Sequence, residues 1–309
     1  MFSRIKKRFK TKRQEALAVR NDPLYKRHGG EKVLFAVMFV IFVLFAVSFI
    51  FPFLWVLMNS FKNNGEFFRG NFLGLPKDWT FSNYIEAFQF REQYSGFTIF
   101  QMLGMSVLIA GLGTIVTVFT SSSAAYVVAK YKFPGRSLIF AVVMFSLIVP
   151  IVGALPSQVQ LMESLGLKDT VIGCIFLYSG GFGMNFLLLY SFFKNLSWSY
   201  VEAGYIDGAS DVKIFFKIII PLAKGPIIAI TIIQLIGLWN DYITPSIYLP
   251  DMPTIAVGLN YMTTQLLETY SLYTVVFAAI VIALLPIIVV FCCFSKTIME
   301  NTTVGGLKG

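Results

Sequence analysis

Few side chains in this sequence are equipped for chemistry, and most of them fall in two short stretches. VEAGYIDGASDVKIFFKIIIPLAKGP, beginning at residue 201, gathers Glu202 and Asp207 among glycine and alanine, and LWNDYITPSIYL carries Asp241 between Asn240 and Tyr242. Carboxylates of this kind form charge-assisted hydrogen bonds, either to a basic partner or to a polar solute. The usual catalytic constellations do not appear. His28 is the only histidine, and Cys174, Cys292 and Cys293 all lie in apolar runs, so no His-based catalysis, metal site or disulfide framework is expected. No G-x-x-x-x-G-K-[ST] phosphate loop occurs, so the chain is read as unable to hydrolyse ATP and as drawing its energy from a partner or an ion gradient.

The elements that position these residues are set by composition. The chain is 56% hydrophobic and 13% charged, against about 25% charged for a soluble domain. Runs of more than about 18 apolar residues read as membrane-spanning helices. Six such runs occur, near 33–58, 98–128, 137–161, 170–193, 226–249 and 270–295. The first is longer than a signal-peptide core and no small-residue cleavage site follows it, so it reads as a span. The net charge of +9 follows membrane sidedness rather than nucleic acid. All but five of the 25 Lys and Arg residues (the exceptions being Lys62, Arg69, Lys77, Arg91 and Lys168) fall in the termini and alternate connections. The positive-inside rule then puts both termini in the cytoplasm, with the basic tail beside anionic lipid headgroups.

The expected organisation is a basic cytosolic tail (1–32), a first transmembrane helix (33–58), an extracytoplasmic loop (59–97), a five-helix core (98–295) and a cytosolic tail (296–309). The 59–97 loop carries Trp79, Phe81, Tyr84 and Phe88, aromatics suited to an interfacial belt. In the second span Gly113, Thr117, Ser121 and Ala125 recur every fourth residue, a small-residue stripe for close helix packing or, alternatively, a polar groove wall.

The cytosolic 194–225 segment holds the first acidic stretch. Ser199 followed three residues later by Glu202 predicts a capping box opening a short helix. Gly208 predicts a left-handed reversal, and Ser210 predicts a cap for a second, surface-lying helix that ends at Pro221. Ala203, Gly204, Gly208 and Ala209 then form a low-profile surface for a docking protein. Glu202 and Asp207 contact that protein or serve only the cap and the turn.

These residues carry a resemblance. Glu202-Ala203-Gly204, Asp207-Gly208-Ala209, Phe215, Ile218 and Pro221-Leu222 resemble the EAA loop of binding-protein-dependent ABC importer permeases. Gly204 stands where the family has a second alanine, and the closing Pro226 comes one residue late. LPKDWTFSNYIEAF, AKYKFPGRS, LGLKDT, LWNDYITPSIYL and the terminal TVGGLKG extend the likeness to the carbohydrate-uptake branch, in particular its maltose-type second permease. The resemblance implies an all-α, type I permease with no catalytic residues and no cofactor of its own. It also implies a second permease subunit, two cytosolic ATPase subunits that bind ATP and Mg, an extracytoplasmic sugar-binding protein and the bacterial cell membrane as location. The 194–225 segment would couple the ATPases to the membrane helices, with the terminal TVGGLKG also reaching them.

Asp241 is the one ionisable side chain inside the six runs. A carboxylate at the bilayer centre costs about 2.5–3.5 kcal/mol, so it is expected to face a cavity, a paired group or interfacial water. Gln234 lies two turns earlier on nearly the same face, and Trp239, Asn240 and Tyr242 flank Asp241. Amides and a carboxylate beside aromatic rings suit a sugar, which presents hydroxyls and stacking C–H faces. In the fourth run Gly180, Gly181 and Gly183 precede Asn185 and either loosen a passage or permit tight packing. The alternative function, an ion-coupled secondary transporter, calls for mid-membrane ionisable groups and repeated halves. A membrane enzyme calls for a catalytic cluster. Neither pattern is present.

Overall fold

The computed structural model describes residues 29–149, 153–269 and 271–302, in two units, Met1–Trp55 and Val56–Gly309. Most of the basic tail, His28 and the terminal TVGGLKG lie outside the described residues. In the first unit, α1 (Gly29–Ser60) presents an exposed apolar surface from Val33 to Leu54. Its Ser48 hydroxyl donates to the Phe45 carbonyl at 2.7 Å, satisfying in cis a group that lipid cannot.

The second unit continues from the end of α1 through α2 (Asn64–Phe68), α3 (Ser82–Gln89) and the long α4 (Ile99–Lys130). Next come α5 (Arg136–Ile148), α6 (Ala154–Ser164), α7 (Val171–Tyr178), α8 (Met184–Asn195) and α9 (Ser199–Ile206). After α10 (Asp211–Ile214), a π-helical turn (Phe215–Ile219) and α11 (Ile220–Leu222), the chain enters α12 (Lys224–Asn240) and α13 (Ile243–Tyr248). Then α14 (Ile255–Met262) and a second π turn (Thr263–Thr269) lead to α15 (Tyr273–Thr302).

α4 is the organising helix. Thr98 and Gln101 close a capping box at its start, so two orphan N–H groups are satisfied where the chain enters the apolar layer. It packs against α7, α8, α12 and α14. One end joins a core of Met102, Ala110, Leu238, Trp239, Val276 and Ala279. The other joins a core of Ala125, Phe186, Leu189 and Phe193 with Val201, Ile214 and Ile219. The stripe Gly113, Thr117, Ser121 and Ala125 is buried, and close packing is its role. A Cβ on Gly113 would lie 2.8 Å from Leu238 Cδ1 and 3.2 Å from Tyr178 Cδ2, so the glycine sets the separation of α4 from α12 and α7.

Not all of the expected spans are single helices. Among the described residues, Val33–Ser60, Ile99–Lys130 and Tyr273–Phe294 are each long and apolar enough to cross a membrane. Asp211–Leu222 and Lys224–Asn240 pass together only as a pair bent by 82°. The expected 137–161 span divides into α5 and α6: Val149 is extended (φ −94°, ψ 112°), as a residue before proline prefers to be, and Pro150 follows. The 170–193 span divides into α7 and α8 at the Gly180–Gly183 cluster. There a Cβ on Gly181 would meet the Thr120 carbonyl at 3.1 Å, so the glycines serve both a helix break and a close approach to α4. The 226–249 span ends early, at Asn240, because Asp241 turns extended (φ −70°, ψ 111°).

The loop after α1 is held by an enclosed ammonium. Lys62 is fully buried and donates to Asn59 Oδ1 at 2.9 Å and the Asn71 carbonyl at 2.5 Å. Asn83 donates to the carbonyls of Ser60 (2.7 Å) and Lys62 (2.6 Å) and accepts from Thr274 at 3.0 Å, which ties α3 to the start of α15. Phe61 gathers Trp79, Phe81 and Tyr84 at ring distances of 5.5, 5.3 and 5.2 Å.

Overpacking a close helix contact costs about 1–3 kcal/mol. Gly113→Val is therefore expected to lower the thermal unfolding midpoint in detergent, whereas Gly104→Val, whose Cβ would meet nothing within 4 Å, leaves it in place. Equal midpoints would refute the close-packing role of Gly113.

Candidate functional site

Two sets of residues answer to the sequence expectations. The first is the acidic stretch. α9 begins one residue earlier than a Ser199 cap requires: Trp198 is the N-cap, in αR geometry and without a side-chain cap bond. Ser199 is the first helical residue, and its N–H donates to Ser197 Oγ at 3.3 Å. The expected capping box therefore does not form. Glu202 is exposed, with no capping duty.

The other local expectations hold. Gly208 sits at φ +69°. Its N–H donates to the Tyr205 carbonyl at 2.9 Å while that of Ala209 donates to the Gly204 carbonyl at 2.9 Å. This pair of bonds is a Schellman closure, in which a left-handed glycine satisfies the last carbonyls of a helix. Ser210 then caps α10, accepting from the Lys213 N–H. The second helix is not a uniform α-helix. Pro221 has no N–H to offer the Lys217 carbonyl and its ring crowds that position, so the preceding turn widens to π geometry. Pro221 thus widens the helix, and the break falls two residues later, at Ala223, before the bend into α12.

Packing sorts the loop into an inner and an outer face. Gly204 is buried, and a Cβ there would lie 2.7 Å from Ile214 Cγ1 and 3.1 Å from Ile218 Cδ1. The glycine in place of alanine therefore seats α9 on α10 rather than loosening it, and it contributes nothing to the outer surface. Glu202, Ala203, Asp207 and Gly208 are exposed, with Ala209 half-buried. Ile206, which sequence reasoning missed, stands 86% exposed at the tip. Its signal was an isoleucine on a short helix directly before an acidic glycine turn.

A three-residue clamp ties this pair of helices to the end of α4. Tyr131, just past α4, donates its phenol to Asp211 Oδ1 at 2.6 Å, and Tyr205 of α9 donates to the same oxygen at 2.5 Å. The two hydroxyls hold the Asp211 carboxyl below its ordinary value. Burial first, then the bond to Asp211, raises the Tyr131 phenol. A depressed carboxyl contributes above its unfolded value and loses that contribution only as pH falls through the lower folded value, so the clamp persists through neutral pH.

The second set is the membrane polar group. Asn185 of α8 donates to Gln234 Oε1 of α12 at 2.8 Å, so two expected residues meet. Asp241, half-buried, accepts from the Tyr178 phenol at 2.9 Å and the Thr244 N–H at 3.0 Å, pairing α7 with the turn into α13. Thr117 of α4 donates to the Tyr178 carbonyl at 2.7 Å. Two polar contacts therefore lie along these helix interfaces, together called the polar seam below: Thr117, Tyr178 and Asp241 link α4, α7 and the end of α12, and Asn185 with Gln234 links α8 to α12. The flanking residues separate from it: Trp239 is buried in the apolar core, while Asn240 and Tyr242 are exposed. Tyr178 was not singled out because nothing in LYSGGFGMN marks a phenol whose partner is 63 residues away. No group of side chains suited to a metal ion occurs among the described residues.

Asp211→Ala removes both clamp bonds, whereas Tyr131→Phe and Tyr205→Phe remove one each. In hydrogen–deuterium exchange, the peptide spanning 199–211 is expected to exchange several-fold faster in Asp211→Ala than in either phenylalanine variant. Identical exchange in all three would show that the clamp holds nothing.

The profile of the family described as binding-protein-dependent transport system inner membrane component matches residues 118–298, which hold the acidic loop and the polar seam apart from Thr117. The chain is 32% identical over 276 residues to the diacetylchitobiose uptake system permease protein NgcG of Streptomyces coelicolor, covering 88% of this chain and 89% of that one. It is 30% identical to the arabinooligosaccharides transport system permease protein AraQ of Bacillus subtilis, covering 92% and 99%. Among solved structures, a chain of a bacterial ABC transporter involved in import of the acidic polysaccharide alginate superposes with a TM-score of 0.75 at 24% identity, over 87% of this chain and 98% of that one, and shares the fold. This chain belongs to the binding-protein-dependent transport system inner membrane components, the permease subunits of ABC importers.

Proposed function

We propose that the cargo of this permease is a carbohydrate, an oligosaccharide rather than a single sugar. It would be handed over by an extracytoplasmic binding protein and drawn inward by two cytosolic ATPases that bind ATP and Mg. The names of the relatives support the cargo class, and the seam supports its chemistry: amide, carboxylate and phenol groups offer donors and acceptors along its helix interfaces. A second, related permease completes the path. In this reading the chain crosses the bilayer six times with both termini cytosolic. α5–α6 and α7–α8 each make one interrupted crossing.

The observation that carries the coupling role is the outer face of the 194–225 segment. Glu202, Ala203, Asp207, Gly208 and Ile206 project together, while Gly204, Val201, Ile214 and Ile219 anchor the same segment in the core around α4 and α8. A lever needs both a free face and a fixed one. Exposed ion pairs are worth about 0–1 kcal/mol, so packing of Ile206 and the glycine turn into a groove on the ATPase supplies most of the docking energy, and the carboxylates orient it.

Co-purification tests the assignment: an ATPase held by this chain should hydrolyse faster in the presence of a sugar-loaded binding protein, and no stimulation by any sugar would defeat it. Gly208→Trp is expected to lower uptake far more than Glu202→Gln at equal membrane abundance, with Gly208→Ala separating backbone strain from bulk. Similar rates for Gly208→Trp and Glu202→Gln would contradict docking by packing. Asp241→Ala is expected to impair uptake with assembly intact, and Tyr178→Phe to do so less; uptake unchanged across a sugar concentration series would remove Asp241 from the path.

A further inference from the structure

The clamp residues also line two cavities that no seam residue lines, and Tyr131 belongs to both. One, of about 650 Å³, is lined by Lys130, Lys132 and Arg136 with Trp198 and Tyr205. No carboxylate lines it. Its cations are under-committed. Lys130 donates to the Leu196 carbonyl, and Arg136 donates to the Tyr131 carbonyl at 3.3 Å. The only ion pair among the described residues, Lys168–Glu163, lies elsewhere. An ammonium has three donors and a guanidinium five, so most donors at this cavity are unused.

The other cavity, about 580 Å³, shares Tyr131 and is otherwise largely apolar. It follows α4 through Val127 and Ser123 to Phe119, against Val212 and Phe216 of the coupling segment. The Phe119 and Phe216 rings are parallel to within 10° at 6.1 Å. At 1.5 Å per residue, 119 to 131 spans roughly 18 Å. Asp211 is the one charged group at this groove, and its Oδ1 is occupied by the two clamp phenols.

A cationic, aromatic-rimmed head joined to a long apolar trough is complementary to one class of molecule, an anionic amphiphile with a phosphate at one end. We propose that the junction of α4, the α4–α5 turn and the coupling segment holds an anionic phospholipid, its phosphate among Lys130, Lys132 and Arg136 and an acyl chain along Phe119–Val127 under Phe216. Seated there, the lipid fills the wedge between the coupling segment and α4 beside the clamp. The inference rests on the cytosolic placement of the α4–α5 turn, because basic pockets on that side face the anionic leaflet.

The test places the full chain in nanodiscs of phosphatidylcholine with a minority of phosphatidylglycerol and reads the lipid kept after detergent extraction by native mass spectrometry. Phosphatidylglycerol is expected to be retained over phosphatidylcholine. The double substitution Lys132→Ala/Arg136→Ala should reduce that retention by roughly tenfold or more, and Lys132→Arg/Arg136→Lys should restore it. Phe216→Ser should weaken it with the cations intact. Equal retention of the two lipids, or indifference to these substitutions, overturns the proposal. Displacement by excess inorganic phosphate with no effect of Phe216→Ser overturns it in favour of a small-anion site. Displacement by the bound ATPase assigns the cavity to that protein and likewise overturns it. Sidedness is read independently by thiol labelling of Lys132→Cys. An external label alongside retained phosphatidylglycerol refutes the orientation alone, and a cytosolic label without retention refutes the lipid site alone.

Discussion

The contact of Gly204 with Ile214 and Ile218 is the constraint on which the 199–222 segment depends. It seats α9 directly on α10 and the π turn, and Val201, Ile214 and Ile219 carry that unit into the core shared with Phe186, Leu189 and Phe193. Because packed interiors are dense and resist deformation, a displacement of the outer face, in the coupling role proposed above, would be conveyed to α4 and α8 rather than absorbed in the loop. The Tyr131–Asp211–Tyr205 bonds add a second, polar attachment at the point where α4 ends. Apolar packing sets the stiffness, and the hydrogen bonds set the register.

The polar seam poses a different problem. Thr117 bonds the Tyr178 carbonyl, the Tyr178 phenol bonds Asp241, and Asn185 bonds Gln234, all inside the chain. This satisfies groups that would otherwise be costly in an apolar layer. If a solute passes here, as proposed above, its hydroxyls would compete with these bonds for the same partners. Such exchange costs little for a polyol and much for an apolar solute, which lacks the groups to substitute.

Much of this was legible from residue types. The reversal at Gly208, the cap at Ser210 and the packing stripe on α4 follow from local rules and hold in the structure. What escaped was non-local or depended on backbone geometry. Hydropathy counts apolar residues and does not register that Val149 before Pro150, the Gly180–Gly183 cluster and Asp241 each leave helical geometry. The Ser199 capping box failed because the helix starts with Ser199 already inside it. Tyr131 and Tyr178 are ordinary tyrosines in sequence; each matters through a carboxylate, 80 and 63 residues away respectively. Trp239, expected beside a sugar, packs in the apolar core with residues of α4 and α15.

At the opposite end of α4 the enclosed Lys62 has a consequence of its own. The 59–97 segment contains no cysteine, and its folded form is gathered around an ammonium bonded to Asn59 and the Asn71 carbonyl. The chain thereby supplies its own internal cation as the centre of that segment. Cohesion of that kind needs neither a bound metal nor a disulfide, so chelators and reductants leave it in place.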